Sequence, residues 1–415
     1  MQNISYFCIV KQIKLTFKAY LVIFLLSLTC QAKADNVPTV NERWDSVEIS
    51  LLTCGPGQEI WSLYGHTAIR VHDMDGEDLV VNYGIFSFRQ KFFILRFVFG
   101  LTDYQMGITT YPDFIAEYRQ EGRWVKQQVL NLTREDKSRI VEAIQKNYLP
   151  ENREYRYNYF YDNCTTRARD ILVRNMNEEV SFPEDHEISQ SFRSMIHAYN
   201  RNHPWARLGN DLLLGLKADF KTTKSERQFL PGNLMNDFDN ALRTNIDGKK
   251  EKLVSNTEYL LHARERDYKS GFPLSPSDCS IILLIITIAI CVFEWSNKKI
   301  LWGYDALLMT LDGVAGLILL AMVFSQHPTV SLNLQILLLC PLSLVFMIPV
   351  VRKLRKRQLH WYLTASKYLT AIAVIGYAFQ KYDKAVLIVA LILLIRIISN
   401  EILITKHMGN TDKNE

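Results

Sequence analysis

The residues with the clearest chemical potential lie in the run Tyr157-Asn158-Tyr159-Phe160-Tyr161-Asp162-Asn163-Cys164-Thr165-Thr166-Arg167-Ala168-Arg169-Asp170. Its aromatic half reads as a strand or turn. Its second half reads as the opening of a helix, with Asn163 or Asp162 as cap and Cys164 in the first turn. A thiol placed there sits at the positive end of the helix dipole, which favours the nucleophilic thiolate. The plain alternative is a cysteine that only packs. A thiol nucleophile needs a base within reach, and the base needs an orienting partner. His66 follows Gly65 at the start of an expected strand, and Asn82 lies on the return strand of the same hairpin. Cys164 as nucleophile, His66 as base and Asn82 as orienter form a complete set, with His72 as an alternative orienter.

An α+β frame must hold these residues. Asp45 to Thr53 alternates as a strand, and Cys54-Gly55-Pro56-Gly57 is a turn. Gly65 to Asp73 and Asp78 to Gly84 pair as a hairpin around Met74-Asp75-Gly76-Glu77. Phe86 to Thr102 is dense in phenylalanine and is expected to be a buried segment, with a surface dipping into a bilayer as the alternative. Tyr104 to Ile108 and Arg123 to Leu130 read as strands, and Tyr111 to Glu121 as a helix. Thr133 and Asp136 make a capping box for a helix running to about Asn147. Beyond the Cys164 helix the chain is polar and helical as far as Phe229-Leu230-Pro231-Gly232, and Asn233 to Lys269 is expected to be a charged helical connector.

Of 415 residues, those before about Ser275 are polar and mixed, and those after it are apolar runs broken by short charged loops. The net charge of +5 is small, and no Lys/Arg block stands outside the membrane-flanking loops, which argues against a nucleic-acid partner. Lys11, Lys14 and Lys18, the apolar run Ala19 to Leu28 and Ala32-Lys33-Ala34 read as a secretory signal. An uncleaved anchor, or a lipoprotein signal at Cys30 with a poor lipobox, are the alternatives. Of seven cysteines, Cys8 and Cys30 fall in this leader and Cys279, Cys291 and Cys340 in apolar runs. Cys54 and Cys164 remain for the exported part, where a disulfide between them is the structural rival to a reactive thiol. Without CxxC or HExxH spacing or a glycine-rich phosphate loop, no metal and no cofactor are expected.

Five apolar runs, about Cys279–Trp295, Tyr304–Phe324, Leu334–Val351, Trp361–Phe379 and Ala385–Leu403, have roughly the length a membrane-spanning helix needs. Lys298 and Lys299 follow the first run, and Arg352, Lys353, Arg355, Lys356 and Arg357 follow the third. Positive-inside counting puts those loops and the C-terminus in the cytoplasm, and the soluble domain outside. Asp312 lies within a span, where an ionisable group is costly and often has a partner or a role.

The stretches Ser50-Leu51-Leu52-Thr53-Cys54-Gly55-Pro56-Gly57, Gly65-His66-Thr67-Ala68-Ile69-Arg70-Val71, Asn82-Tyr83-Gly84-Ile85-Phe86, Pro150-Glu151-Asn152-Arg153 and Asp162 to Asp170 together resemble the bacterial lipoprotein N-acyltransferase family Lnb. In the membrane half, Asp312-Gly313-Val314-Ala315-Gly316, Ser325-Gln326-His327-Pro328 and Asn333 resemble the family's second span and following outer loop. The resemblance implies a permuted papain-like α+β domain followed by an all-α bundle of five transmembrane helices. The order is a signal peptide over 1–34, a periplasmic domain over 35–232, the connector over 233–276, the membrane domain over 277–404 and a cytoplasmic tail over 405–415. It also implies acyl transfer through a Cys164 thioester with His66 as base, and an inner-membrane location. Diacylated lipoproteins and a phospholipid acyl donor would be the partners. Asn82 is the third catalytic candidate by analogy. Arg70, Tyr83, Arg167, His327 and Asn333 are candidates for substrate binding. Two rival readings are a membrane-anchored cysteine amidase or peptidase acting on cell wall, and a non-enzymatic membrane protein holding a Cys54–Cys164 disulfide.

Overall fold

The computed structural model describes residues 42–87, 89, 91–182, 190–244, 247–264 and 272–411; the leader expected over 1–34 lies outside them. Glu42–Asp45 form a 3-10 turn at the end of a first unit that closes at Asp45, and Ser46 onward forms the second unit. That second unit opens with β1 (Val47–Cys54), β2 (His66–Asp73), β3 (Asp78–Ile85), β4 (Asp103–Thr110), β5 (Val125–Leu130) and β6 (Glu154–Arg156). Between and after them come α1 (Phe93–Val98), α2 (Tyr111–Gln120), α3 (Arg134–Tyr148) and α4 (Cys164–Arg174). β1 is buried at seven of its eight positions, so both faces of the sheet are covered where it runs. Leu52, Cys54, Ala68, Val80 and Val125 pack on Phe114, Ile115 and Tyr118 of α2. The Thr133–Asp136 capping box starts α3 as its sequence predicts.

The chain continues through β7 (Glu179–Ser181), α5 (Phe192–Tyr199), α6 (Pro204–Leu213), α7 (Lys224–Arg227) and α8 (Pro231–Asp239). The helical connector expected over 233–276 is not what forms. Helix stops at Asp239, and β8 (Leu242–Thr244), β9 (Lys250–Lys252) and β10 (Val254–Leu261) follow. β10 pairs with β5 and completes a seven-stranded sheet of order β10-β5-β1-β2-β3-β4-β6, in which every neighbouring pair is antiparallel. Its mostly exposed side chains explain why it reads as a polar connector: an edge strand facing water carries charge and little apolar periodicity.

The helical part comprises α9 (Pro276–Asn297), α10 (Trp302–Val323), α11 (Leu342–Arg355), α12 (Trp361–Gly376) and α13 (Lys384–Thr411). Among the described residues four helices, Pro276–Asn297, Trp302–Val323, Leu334–Arg355 and Lys384–Thr405, are long and apolar enough to cross a membrane. The fourth expected run forms the 16-residue α12, shorter than the ~20 residues of a full span. Helix also continues to Thr411, past the expected start of the tail. Inside the bundle Arg396 donates to Asp305 through Nε and Nη2, each at 2.8 Å, and through both Nη atoms to Glu294. Asp312 accepts from Ser343, whose hydroxyl also meets Tyr362 Oη at 2.8 Å.

A polar seam joins the two parts. The side-chain amides of Gln335, Asn333 and Gln380 donate to the carbonyls of Asp211, Leu212 and Leu214 at 2.7, 2.7 and 3.1 Å. The backbone N–H groups of Gly215 and Leu216 donate to Thr329 and Leu332 carbonyls. Behind this seam the buried Arg193 binds Asp211 at 2.8 Å and Asp219 at 3.1 Å.

Candidate active site

His66 is placed by a turn that only glycine makes cheaply. Gly65 has φ +83°, and a Cβ there would stand 2.6 Å from the Cys54 carbonyl oxygen. The chain emerges from this turn directly into β2 at His66. Ala68 lies opposite Asn82 in the β2–β3 register, so His66, two residues earlier, shares a face with Asn82 as its diagonal neighbour. His66 Nε2 lies 3.1 Å from Asn82 Oδ1. The Asn82 amide nitrogen donates to Val80 O at 3.4 Å and Thr109 Oγ1 at 3.3 Å, which turns its oxygen to the ring. In the neutral ring Nε2 therefore carries the hydrogen and Nδ1 keeps its lone pair, and in the imidazolium Nε2 still donates to Asn82.

Cys164 is placed by a helix cap. Asn163, with φ −121°, accepts from the N–H groups of Thr165 and Thr166, and its own N–H donates to Thr166 Oγ1 at 2.9 Å. The N–H of Cys164, first in α4, takes no part in this box. Asn163 Nδ2 donates to Tyr159 O at 3.0 Å and Phe229 O at 2.9 Å, tying the cap to the loops on both sides. Thr67, on the face of β2 opposite His66, donates to Thr165 Oγ1 at 3.1 Å and so fixes α4 against the strand that carries His66. Gly84 has φ +84°, and a Cβ there would lie 3.6 Å from Cys164 Cβ. The strand bends at this point, where the β3–β4 register slips between Asn82 and Ile85.

Electrostatics couple the two residues. Burial pushes the Cys164 thiol up, but the charge of His66 and a hydrogen bond with it, the Thr67 N–H and the Thr165 hydroxyl outweigh burial and bring the pKa down to about 7. Burial opposes protonation of His66, yet the Cys164 charge and hydrogen bonds with Cys164 and Asn82 raise its pKa. The pair thus favours thiolate and imidazolium near neutrality. Cys54 behaves in the opposite way. It lies across from His66 in the β1–β2 register, is 1% exposed, and burial pushes its thiol up to about 12. Both cysteines are free, without a disulfide between them.

The five residues expected to bind substrate do not gather at this cluster. Arg70 lies four residues along β2, where it bonds Asp78 at 2.6 Å and Gln127 at 2.7 Å and covers the Tyr111 ring. Tyr83 faces away from Asn82 and donates to Asn147 at 2.8 Å. Asn333 caps a 3-10 turn and holds the seam. His327 is buried between Phe97 and Tyr159, and that burial lowers its pKa. Arg167 comes nearest, within the helical turn after Cys164, but it is held by Asp162 at 2.6 and 2.8 Å over the Tyr155 ring. In each case a side chain that reads as free to bind a ligand is taken up by an intramolecular partner. Thr67 and Thr165, which donate to the thiolate, escape sequence reading. Their signal is that a threonine directly follows both His66 and Cys164.

No curated protein and no solved structure matches the chain. A family model for the Lnb N-terminal periplasmic domain matches residues 34–197, which contain Cys164, His66 and Asn82, and one for the Lnb transmembrane domain matches residues 267–408. The chain is thus a multi-pass membrane protein with a periplasmic domain, a membrane enzyme of lipoprotein biogenesis, and it belongs to the Lnb family of lipoprotein N-acyltransferases.

Proposed function

We propose that the enzyme N-acylates the α-amine of the diacylglyceryl-modified N-terminal cysteine of lipoproteins, working in the inner membrane with a phospholipid as acyl donor. The observation that carries this reading is the Cys164–His66–Asn82 cluster, a capped and acidified thiol coupled to an oriented imidazole, in a domain rooted on membrane helices. The Cys164 thiolate attacks an ester carbonyl of the donor. The tetrahedral oxyanion points to the free N–H of the helix N-terminus, where one such donor is typically worth ~3–4 kcal/mol. The intermediate collapses to a Cys164 thioester, and the lysolipid alkoxide leaves with the proton of the His66 imidazolium. The lipoprotein amine then attacks the thioester, His66 takes its proton, and the thiolate departs as the amide forms.

Mass spectrometry of a lipoprotein's N-terminal peptide tests this. The host lacks its own N-acyltransferase and expresses either the wild type or Cys164→Ala. An added amide-linked acyl chain with the wild type alone is the expected result. Acylation by both proteins would remove Cys164 from the mechanism. Acylation by neither, with folded protein in the membrane, would favour amidase chemistry on cell wall.

A further inference from the structure

The phenylalanine-rich stretch before β4 is not the buried segment its composition suggests. Phe92 is 76% exposed and Leu95 56% exposed, while Phe93 and Phe97 turn partly inward. Phe92 adopts a left-handed conformation, φ 57° and ψ 33°, which is costly for a bulky side chain and points to a constraint beyond local preference. This segment is fastened to the membrane bundle. Gln326 N–H donates to Phe99 O at 3.0 Å, and His327 Nε2 lies 3.3 Å from Phe97 O. Gln326 stands three residues beyond the end of α10, whose Ile318 and Val323 are exposed, as is Phe324 just past it. These bonds carry the exposed side chains of Phe92 and Leu95 alongside the apolar end of α10.

Beside α1 lies a cavity of about 430 Å³ whose lining includes Ile85, Phe86, Lys91, Arg96, Tyr104 and Glu154. One wall leads to the thiol. Phe93 stacks on Phe86 at 5.7 Å, Phe86 on Tyr104 at 5.0 Å and Tyr104 on Tyr157 at 4.0 Å between ring centroids. Tyr157 and Cys164 both flank Gly84, within 4.0 and 3.6 Å of where its Cβ would be. Lys91 is exposed at the cavity, and Arg96 is braced by Asp103 at 3.0 Å.

We propose that α1 and Phe92 lie in the outer leaflet and that this cavity takes the phosphate-bearing head of a glycerophospholipid, with Lys91 and Arg96 facing the phosphate. Apolar side chains in the acyl boundary and cations at headgroup level are what an interfacial segment requires. The aromatic stack then forms a flat apolar wall along which the ester of the same lipid reaches Cys164. This inference deepens the acyl-transfer reading, and rests on it only in naming the lipid as the acyl donor.

The test uses full-length protein in nanodiscs of phosphatidylethanolamine and phosphatidylglycerol containing radiolabelled phosphatidylethanolamine. A photoreactive benzoylphenylalanine replaces Phe92, Leu95 or, as a control, Met74, which is 66% exposed at a hairpin tip. Irradiation is expected to label the protein at 92 and 95 and not at 74, equally well in a Cys164→Ala background. Lys91→Glu should lower capture roughly five-fold and Lys91→Arg should retain it, the change expected for one surface cation against a phosphate. Equal labelling at 74, or none at both 92 and 95, overturns the membrane contact. Unchanged capture in Lys91→Glu overturns the headgroup site. Labelling at 92 and 95 by a protein that does not N-acylate would support this site and sink the acyl-transfer reading alone.

Discussion

Asn82 presents its amide oxygen to His66 Nε2 at 3.1 Å, while its own nitrogen is committed to Val80 O and Thr109 Oγ1. The imidazole is thereby held in one tautomer and one orientation. Removing His66 altogether should lower the acylation rate by the ~10²–10⁴-fold typical of a lost general base. Asn82→Ala should cost less, and the loss should fall on kcat more than on KM because the base remains but is misaligned. Steady-state kinetics on a phospholipid ester check this, and an Asn82→Ala enzyme with full kcat would remove Asn82 from the mechanism.

The acidified thiol makes a pH prediction. Alkylation of Cys164 by iodoacetamide should rise with pH about a midpoint near 7, where its thiol titrates. In His66→Ala the midpoint should move up, because burial is then opposed only by the Thr67 and Thr165 donors. Cys54, pushed up to about 12, should stay unlabelled until the protein is denatured. Peptide mapping after timed alkylation separates the two sites.

The same pair affects stability with opposed signs. Cys164 titrates lower in the fold than its ordinary ~8.5 in an unfolded chain, so its contribution is present above that value and is lost as pH falls through about 7. His66 titrates higher in the fold, so its contribution is present below the unfolded ~6.5 and is lost as pH rises through its folded value. Thermal stability should therefore change little across neutrality in the wild type. Cys164→Ala removes the thiolate that raises the His66 pKa and leaves a buried imidazole whose protonation burial opposes. That variant should lose stability as pH falls, and a melting series from pH 5 to 8 reads the slope.

Asn163 serves the helix before it serves the chemistry. Its side chain accepts two N–H groups of α4 and donates to Tyr159 O and Phe229 O. Asn163→Ala should destabilise the fold by ~1–2 kcal/mol, at the upper end for a lost cap. Asn163→Asp keeps the accepting oxygen and should recover part of that loss.

Within the bundle, Arg396 neutralises two carboxylates from different helices. Arg396→Ala leaves Glu294 and Asp305 buried without their cation, a change worth ~3–5 kcal/mol. Membrane accumulation and melting in detergent should both fall sharply. If they do not, the triad is not what joins α9, α10 and α13.

Local features of this molecule were legible in its sequence. The β2–β3 hairpin, the Thr133 capping box and the Asn163–Cys164 helix start depend on residues a few positions apart, and side-chain type alone encodes them. What stayed hidden depends on distant partners. β10 is a strand only because β5 offers it an open edge, and its exposed polar face carries no mark of that. The fourth apolar run keeps its hydropathy through Phe379, but the backbone tightens after Gly376 into i→i+3 turns. Arg70 and His327 look like ligand-binding side chains until the neighbours that claim them, Asp78 and the Phe97 and Tyr159 rings, are in place.

The seam of Gln335, Asn333 and Gln380 amides on the Asp211, Leu212 and Leu214 carbonyls has a consequence for how the two parts can part. All three amide side chains are buried, so prising the joint open would strand donors and acceptors without partners, a cost of about 1–3 kcal/mol for each. Separation is therefore resisted by polar pairing and not by apolar packing alone.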